Sequence, residues 1–160
     1  MREIEGYLSI GSTGNLNVLY GPGSGVERRV FQPFQTNGLS PFSSHQEAMS
    51  AKEEIGKEIK DFKSLRVAKI KLSIAQNRED LNAFKELQRF VVVVDRGFDQ
   101  LLIGRIVDGK PYFDIGAPFQ ANGLKAIEGL EETLWMTSEA TRKGYGTATL
   151  AHILFEEVTE

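Results

Sequence analysis

The residues best placed to do chemistry in this sequence are four amide side chains in matched pairs. Pro33-Phe34-Gln35-Thr36-Asn37-Gly38-Leu39 returns 85 residues later, with one substitution, as Pro118-Phe119-Gln120-Ala121-Asn122-Gly123-Leu124. Gln35, Asn37, Gln120 and Asn122 each offer a carbonyl acceptor and an NH₂ donor. Such a set suits a nucleobase, a peptide backbone or a small polar ligand, and it binds without making or breaking covalent bonds. The same residues have a plain structural use. Asn-Gly is a common turn dipeptide, and the flanking Phe and Leu would plug a core.

Little else is equipped for catalysis. His45 and His152 are the only histidines, and neither has a nucleophile or acid at a telling spacing. Asp95, Asp99, Asp108 and Asp114 fall at strand ends and turns, where Asp is expected for backbone reasons. No set of acids is singled out as a metal site. The absence of cysteine removes thiol catalysis, disulfides and thiolate ligation. No catalytic residue, metal ligand or cofactor is assigned on these grounds. Arg28, Arg29, Lys69 and Lys71 could make a basic patch, the one surface suited to phosphate, but a solvated strand face is the better account of them.

The run Thr141-Arg142-Lys143-Gly144-Tyr145-Gly146-Thr147-Ala148-Thr149-Leu150 resembles the acyl-coenzyme A pyrophosphate loop of the N-acetyltransferase superfamily. The resemblance implies that Gly144 and Gly146 line the cofactor. It also implies a helix over Ala148 to Glu157, whose first N–H groups would hold the pyrophosphate as helix N-termini hold anions generally.

The elements that must position these residues read as one pattern written twice. At the offset of the heptad, Tyr7-Leu8 falls on Val92-Val93, Leu16 on Leu101, Val18 on Ile103 and Val30 on Ile115. Beyond it, with two residues dropped, Phe62 falls on Tyr145, Ala68 on Ala151, Ile70 on Ile153 and Leu72 on Phe155. In the first copy, residues 7–10, 15–20 and 26–31 read as strands. Ser44-His45-Gln46-Glu47 then has the spacing of a capping box. Ala48, Ala51, Ile55, Ile59 and Phe62 follow at helical spacing, and Ala68, Ile70, Leu72 and Ile74 alternate with Lys69 and Lys71 as a half-buried strand. In the second copy, residues 90–95, 101–107 and 112–115 take the strand places, with Asp108-Gly109 as a hairpin turn. Ile127, Leu130, Leu134 and Ala140 have helical spacing, while Thr133 to Thr137 reads equally well as a strand. The expected fold is therefore α+β: two tandem β-β-β-α-β repeats, residues 1–76 and 90–160, packed with pseudo-twofold symmetry and mainly antiparallel sheet. Residues 77–89 link them as a short helix carrying Leu81, Phe84 and Leu87.

Composition bounds the function. The chain has 160 residues, 41% hydrophobic and 26% charged, as soluble globular domains do. Its net charge of −3 argues against a general nucleic-acid binder. Ten Lys/Arg against eight Asp/Glu in residues 1–76, and nine against fourteen in 77–160, set the halves at about +2 and −5. The apolar run at Val91 to Val94 is too short to span a membrane, and residues 1–5 do not read as a secretion signal. A cytoplasmic location is expected. The expected function is non-enzymatic recognition of a protein partner or a small polar ligand between the repeats, with an acyl-coenzyme A enzyme and a nucleic-acid accessory protein as alternatives. A protein-binding module would show an exposed apolar patch or a stable homo-oligomer.

Overall fold

Strand and helix alternate where the hydrophobic period changes. The computed structural model describes residues 1–14, 16–23, 31–34, 39–115, 119–120 and 126–158. Along them run β1 (Arg2–Ser12), β2 (Leu16–Pro22), β3 (Phe31–Pro33), α1 (His45–Glu58), β4 (Ser64–Ile74) and α2 (Arg78–Ala83). They are followed by β5 (Phe90–Asp95), β6 (Asp99–Val107), β7 (Lys110–Ile115), β8 (Phe119–Gln120), α3 (Leu130–Arg142) and β9 (Thr147–Val158). The protein is α+β with mainly antiparallel strand pairing. It divides into two compact units that interleave along the chain. An amino unit holds Ile4–Lys71, Pro118–Lys125 and Phe155–Glu160, and a carboxyl unit holds Met1–Glu3, Leu72–Ala117 and Ala126–Leu154. No helix among the described residues is long and apolar enough to cross a membrane.

In the amino unit the strand order is β3-β2-β1-β4. β1 pairs with β2 so that Ser9 faces Tyr20 and Ser12 faces Asn17. Ala68 and Ile70 of β4 are wholly buried while Lys69 is exposed, as the alternation requires. α1 covers the opposite row, where Val67 packs with Phe42, Ala48 and Ala51. The buried Ser9 hydroxyl donates to the Ala48 carbonyl at 2.7 Å, which satisfies a polar group that would otherwise be costly to bury. Ser44 caps α1 by accepting from the Glu47 N–H. The Glu47 carboxylate reaches back to Ser43 rather than to Ser44, accepting from the Ser43 N–H and hydroxyl. The helix stops at Glu58, so Ile59 and Phe62 lie beyond it. The Phe62 ring lies instead against Gly11 of β1, where a Cβ would come within 2.7 Å of the ring.

In the carboxyl unit the order is β9-β5-β6-β7, with the end of β4 beside β9. Every residue from Phe90 to Val94 is buried, so β5 is covered on both faces, which explains its unbroken apolar run. Val92 and Val94 pack with Leu102, Met136 and Ala140 under α3. At the other end Ala75, Phe84, Phe90 and Leu150 form a second cluster with Leu81, Leu130 and Leu134 against it. β6 and β7 join through Asp108 (φ 52°) and Gly109 (φ 75°), the two positive φ values of a type I′ hairpin.

The segment Thr133 to Thr137, ambiguous in sequence, is helical. Thr133, Met136 and Ala140 make one buried stripe. The β-branched threonines are accommodated because the hydroxyls of Thr133, Thr137 and Thr141 each donate to the carbonyl four residues earlier.

α2 is only six residues long and is fixed at its start by two side chains. Asn77 accepts from the Asp80 N–H at 3.0 Å, and Asp80 accepts from the Gln76 N–H at 2.8 Å. The Gln76 N–H, and after it the Met1 amino group, hold the Asp80 carboxyl below the usual carboxylate range. A depressed folded value stabilises the fold above the unfolded carboxylate range and is lost as pH falls through the lower folded value. Asp80→Asn is expected to lower the urea midpoint at neutral pH and to flatten its decline as pH falls below the ordinary carboxylate range. An acid limb parallel to that of the unchanged protein would count against this role.

Candidate functional site

β2 carries the most unusual arrangement in the amino unit. Its inner edge pairs with β1, and its outer edge is paired by two separate pieces of chain. β3 takes Tyr20 to Pro22, with Pro33 facing Tyr20, and the Phe34 N–H donates to the Leu19 carbonyl. β8 takes Leu16 and Asn17, with Phe119 facing Asn17 and Gln120 facing Leu16. Both run antiparallel to β2. β3 ends on Pro33, the first residue of the first heptad, and β8 is Phe119-Gln120, the second and third residues of the second. Phe34 stands at Leu19 and its counterpart Phe119 at Asn17, two residues apart and therefore in the same phase of the pleat. The Phe34 side chain is buried.

A polar cluster adjoins this edge. The Arg66 guanidinium, from the start of β4, donates to Ser12 Oγ at 2.7 Å, to Asn17 Oδ1 at 3.3 Å and to the Glu157 carboxylate of β9. Ser12 Oγ in turn donates to Asn17 Oδ1. Asn17 is buried, whereas Arg66 and Glu157 are partly exposed. The Nε of Arg66 is buried without a hydrogen-bond partner. Further along β2, burial pushes the Tyr20 phenol above its ordinary value, and its ring meets Phe62 edge-on at 6.1 Å. The cluster offers donors and acceptors in fixed directions.

The sequence did not single out this cluster. A polar Asn inside an apolar strand was the one available signal.

Of the residues expected to bind, Gln35, Asn37 and Asn122 lie outside the described residues, as do Arg28 and Arg29. Gln120 is placed by its backbone in β8. Lys69 is exposed, with Nζ 3.7 Å from Glu5 Oε1, and Lys71 is half-buried on the same strand.

Gly144 and Gly146 belong to a helix end. The Tyr145 N–H donates to the Ala140 carbonyl and the Gly144 N–H to the Thr141 carbonyl, the paired bonds of a Schellman motif, with Gly144 at φ 85°. Residues 147–158 form β9, and those from Thr147 to His152 face β5. The helix implied over Ala148 to Glu157 is therefore a strand. Its N–H groups serve a β-ladder rather than a pyrophosphate.

The two histidines pack against aromatic rings. His45 meets Tyr7 edge-on and leaves Nε2 buried and unpartnered, while His152 lies against Phe84 and Phe90. Among the described residues no group of His, Asp or Glu converges to hold a metal ion. No family model, curated protein or solved structure matches the chain.

Proposed function

We propose that this is a non-enzymatic recognition protein, built from two diverged copies of a β-β-β-α-β unit in pseudo-twofold relation. It binds a protein partner or a small polar ligand where the two heptads come onto one strand. What supports this most is the pairing of Pro33 and Phe119 along the same edge of β2, with Arg66, Ser12 and Asn17 beside it. The element order also supports duplication: β1-β2-β3-α1-β4 is followed, after α2, by β5-β6-β7-β8-α3-β9. In this proposal Gln35, Asn37, Gln120 and Asn122 supply the amide groups that read the ligand.

Native mass spectrometry on untagged protein from its own source tests the proposal. The expected result is a retained mass that disappears in the variant carrying Asn37→Ala and Asn122→Ala, with the unfolding midpoint unchanged. A retained mass unaffected by both changes would overturn the paired-loop site. A bare chain in both forms would overturn tight binding altogether.

A further inference from the structure

We propose that the carboxyl unit carries a built-in guard against strand pairing with a second copy of the chain. Pro111 of β7 and Lys143 at the end of α3 make it.

β7 ends the strand order of this unit: β6 pairs with it on one side, and among the described residues no strand pairs with it on the other. The hairpin decides which of its peptide groups point outward. A two-residue turn at Asp108-Gly109 makes Val107 and Lys110 a hydrogen-bonded pair, and such pairs alternate along an antiparallel ladder. Tyr112 and Asp114 are thus bonded to Arg105 and Ile103, while the peptide groups of Pro111, Phe113 and Ile115 point away from β6. If two β7 edges met antiparallel about a twofold axis at Phe113, that residue would face its own copy and Pro111 would face Ile115 on either side. Three facing pairs at two bonds each would supply six main-chain bonds. Pro111 has no N–H, which removes two of them. The Lys143 ammonium donates to the Pro111 carbonyl at 3.2 Å, which takes the acceptor of two more. Only the pair at Phe113 is left. Lys143 is held in place for this: it is the C-cap of α3, its N–H donates to the Glu139 carbonyl, and Gly144 ends the helix directly after it. The edge has reason to be guarded, since Ile106, Val107 and Tyr112 are all exposed around the same hairpin. Apolar surface beside an open strand edge is a template for association, and edge proline and lysine are known means of blunting it.

Analytical ultracentrifugation with amide exchange tests the guard. In the unaltered protein the Tyr112 N–H should be protected and the Phe113 N–H should exchange freely; a protected Phe113 N–H would show the edge to be covered and overturn the proposal. The variant carrying Pro111→Val and Lys143→Ala regains four bonds per pair of chains. It should self-associate about a hundredfold more tightly or better than the unaltered chain, with each single variant between the two. On association the Phe113 and Ile115 N–H groups should become protected. A folded double variant that associates no more than the unaltered chain would overturn the guard. Association that leaves Phe113 and Ile115 exchanging freely would overturn it too, because the contact would lie on another surface. If the double variant does not fold, Lys143→Ala decides alone, since Lys143 is exposed. About tenfold tighter association would support the guard, and none would remove it.

Discussion

Gly146→Ala is expected to destabilise the protein by about 3 kcal/mol or more, the sum of a strained backbone and an overpacked contact. Gly144→Ala should cost only about 1 kcal/mol. The two glycines stand two residues apart and both have positive φ, 85° at Gly144 and 129° at Gly146. Their surroundings differ. A Cβ on Gly144 would meet nothing within 4 Å, so alanine there incurs only the conformational cost of a helix-ending position. A Cβ on Gly146 would come within 2.6 Å of the Asp95 carbonyl oxygen. That atom belongs to the backbone of β5, which pairs with β9 from Phe90 to Asp95 and cannot withdraw without opening the ladder. Urea unfolding of both variants measures the difference. Equal losses would mean that the approach of Gly146 to β5 is not rigid. The contrast also separates a structural from a cofactor role for the Gly-x-Gly run, because a phosphate-binding loop would not rank its glycines by contact with a strand.

Phe84→Ala should cost about 3–5 kcal/mol, the range for removing a fully buried aromatic ring. Phe84 is 1% exposed and lies 5.7 Å from the ring of Phe90 and 6.0 Å from that of His152. It follows directly on α2, whose six residues bury no side chain of their own. The two capping bonds at Asn77 and Asp80 therefore set the angle at which Phe84 enters the core. Leu87→Ala is the control, since Leu87 shares the helical spacing but is 40% exposed and should change stability by less than about 0.5 kcal/mol. A small effect at Phe84 would show that the pocket between Phe90 and Leu150 collapses readily when emptied.

What could be read from the sequence was local. The helix start at Ser44 and Glu47, the Asp108-Gly109 turn and the alternation through Ala68, Ile70 and Leu72 each depend on neighbours a few residues away. Features set by distant contacts were hidden. Threonines at positions 133 and 137 favour a strand by propensity, and only the burial of Met136 and Ala140 against β5 selects the helix. Lys143-Gly144-Tyr145 ends a helix, but it looks like the start of one until α3 is known to precede it. The candidate site shows the same division. The heptads were evident as a repeat, whereas their meeting on β2 depends on Phe119 pairing with Asn17, and the polar cluster on Arg66 meeting Glu157. No periodicity encodes pairings of that separation.

The interleaving of the two units bears on how the chain folds as it is made. Residues 4–71 are made before the strands that join them in the amino unit, β8 (Phe119–Gln120) and the end of β9 from Phe155. At about 5–20 residues per second, the amino unit must wait on the order of several seconds for them. Meanwhile the outer edge of β2 is without β8 and the Arg66 side chain is without Glu157. Translation thus creates a brief interval in which a nascent chain exposes an unfinished edge.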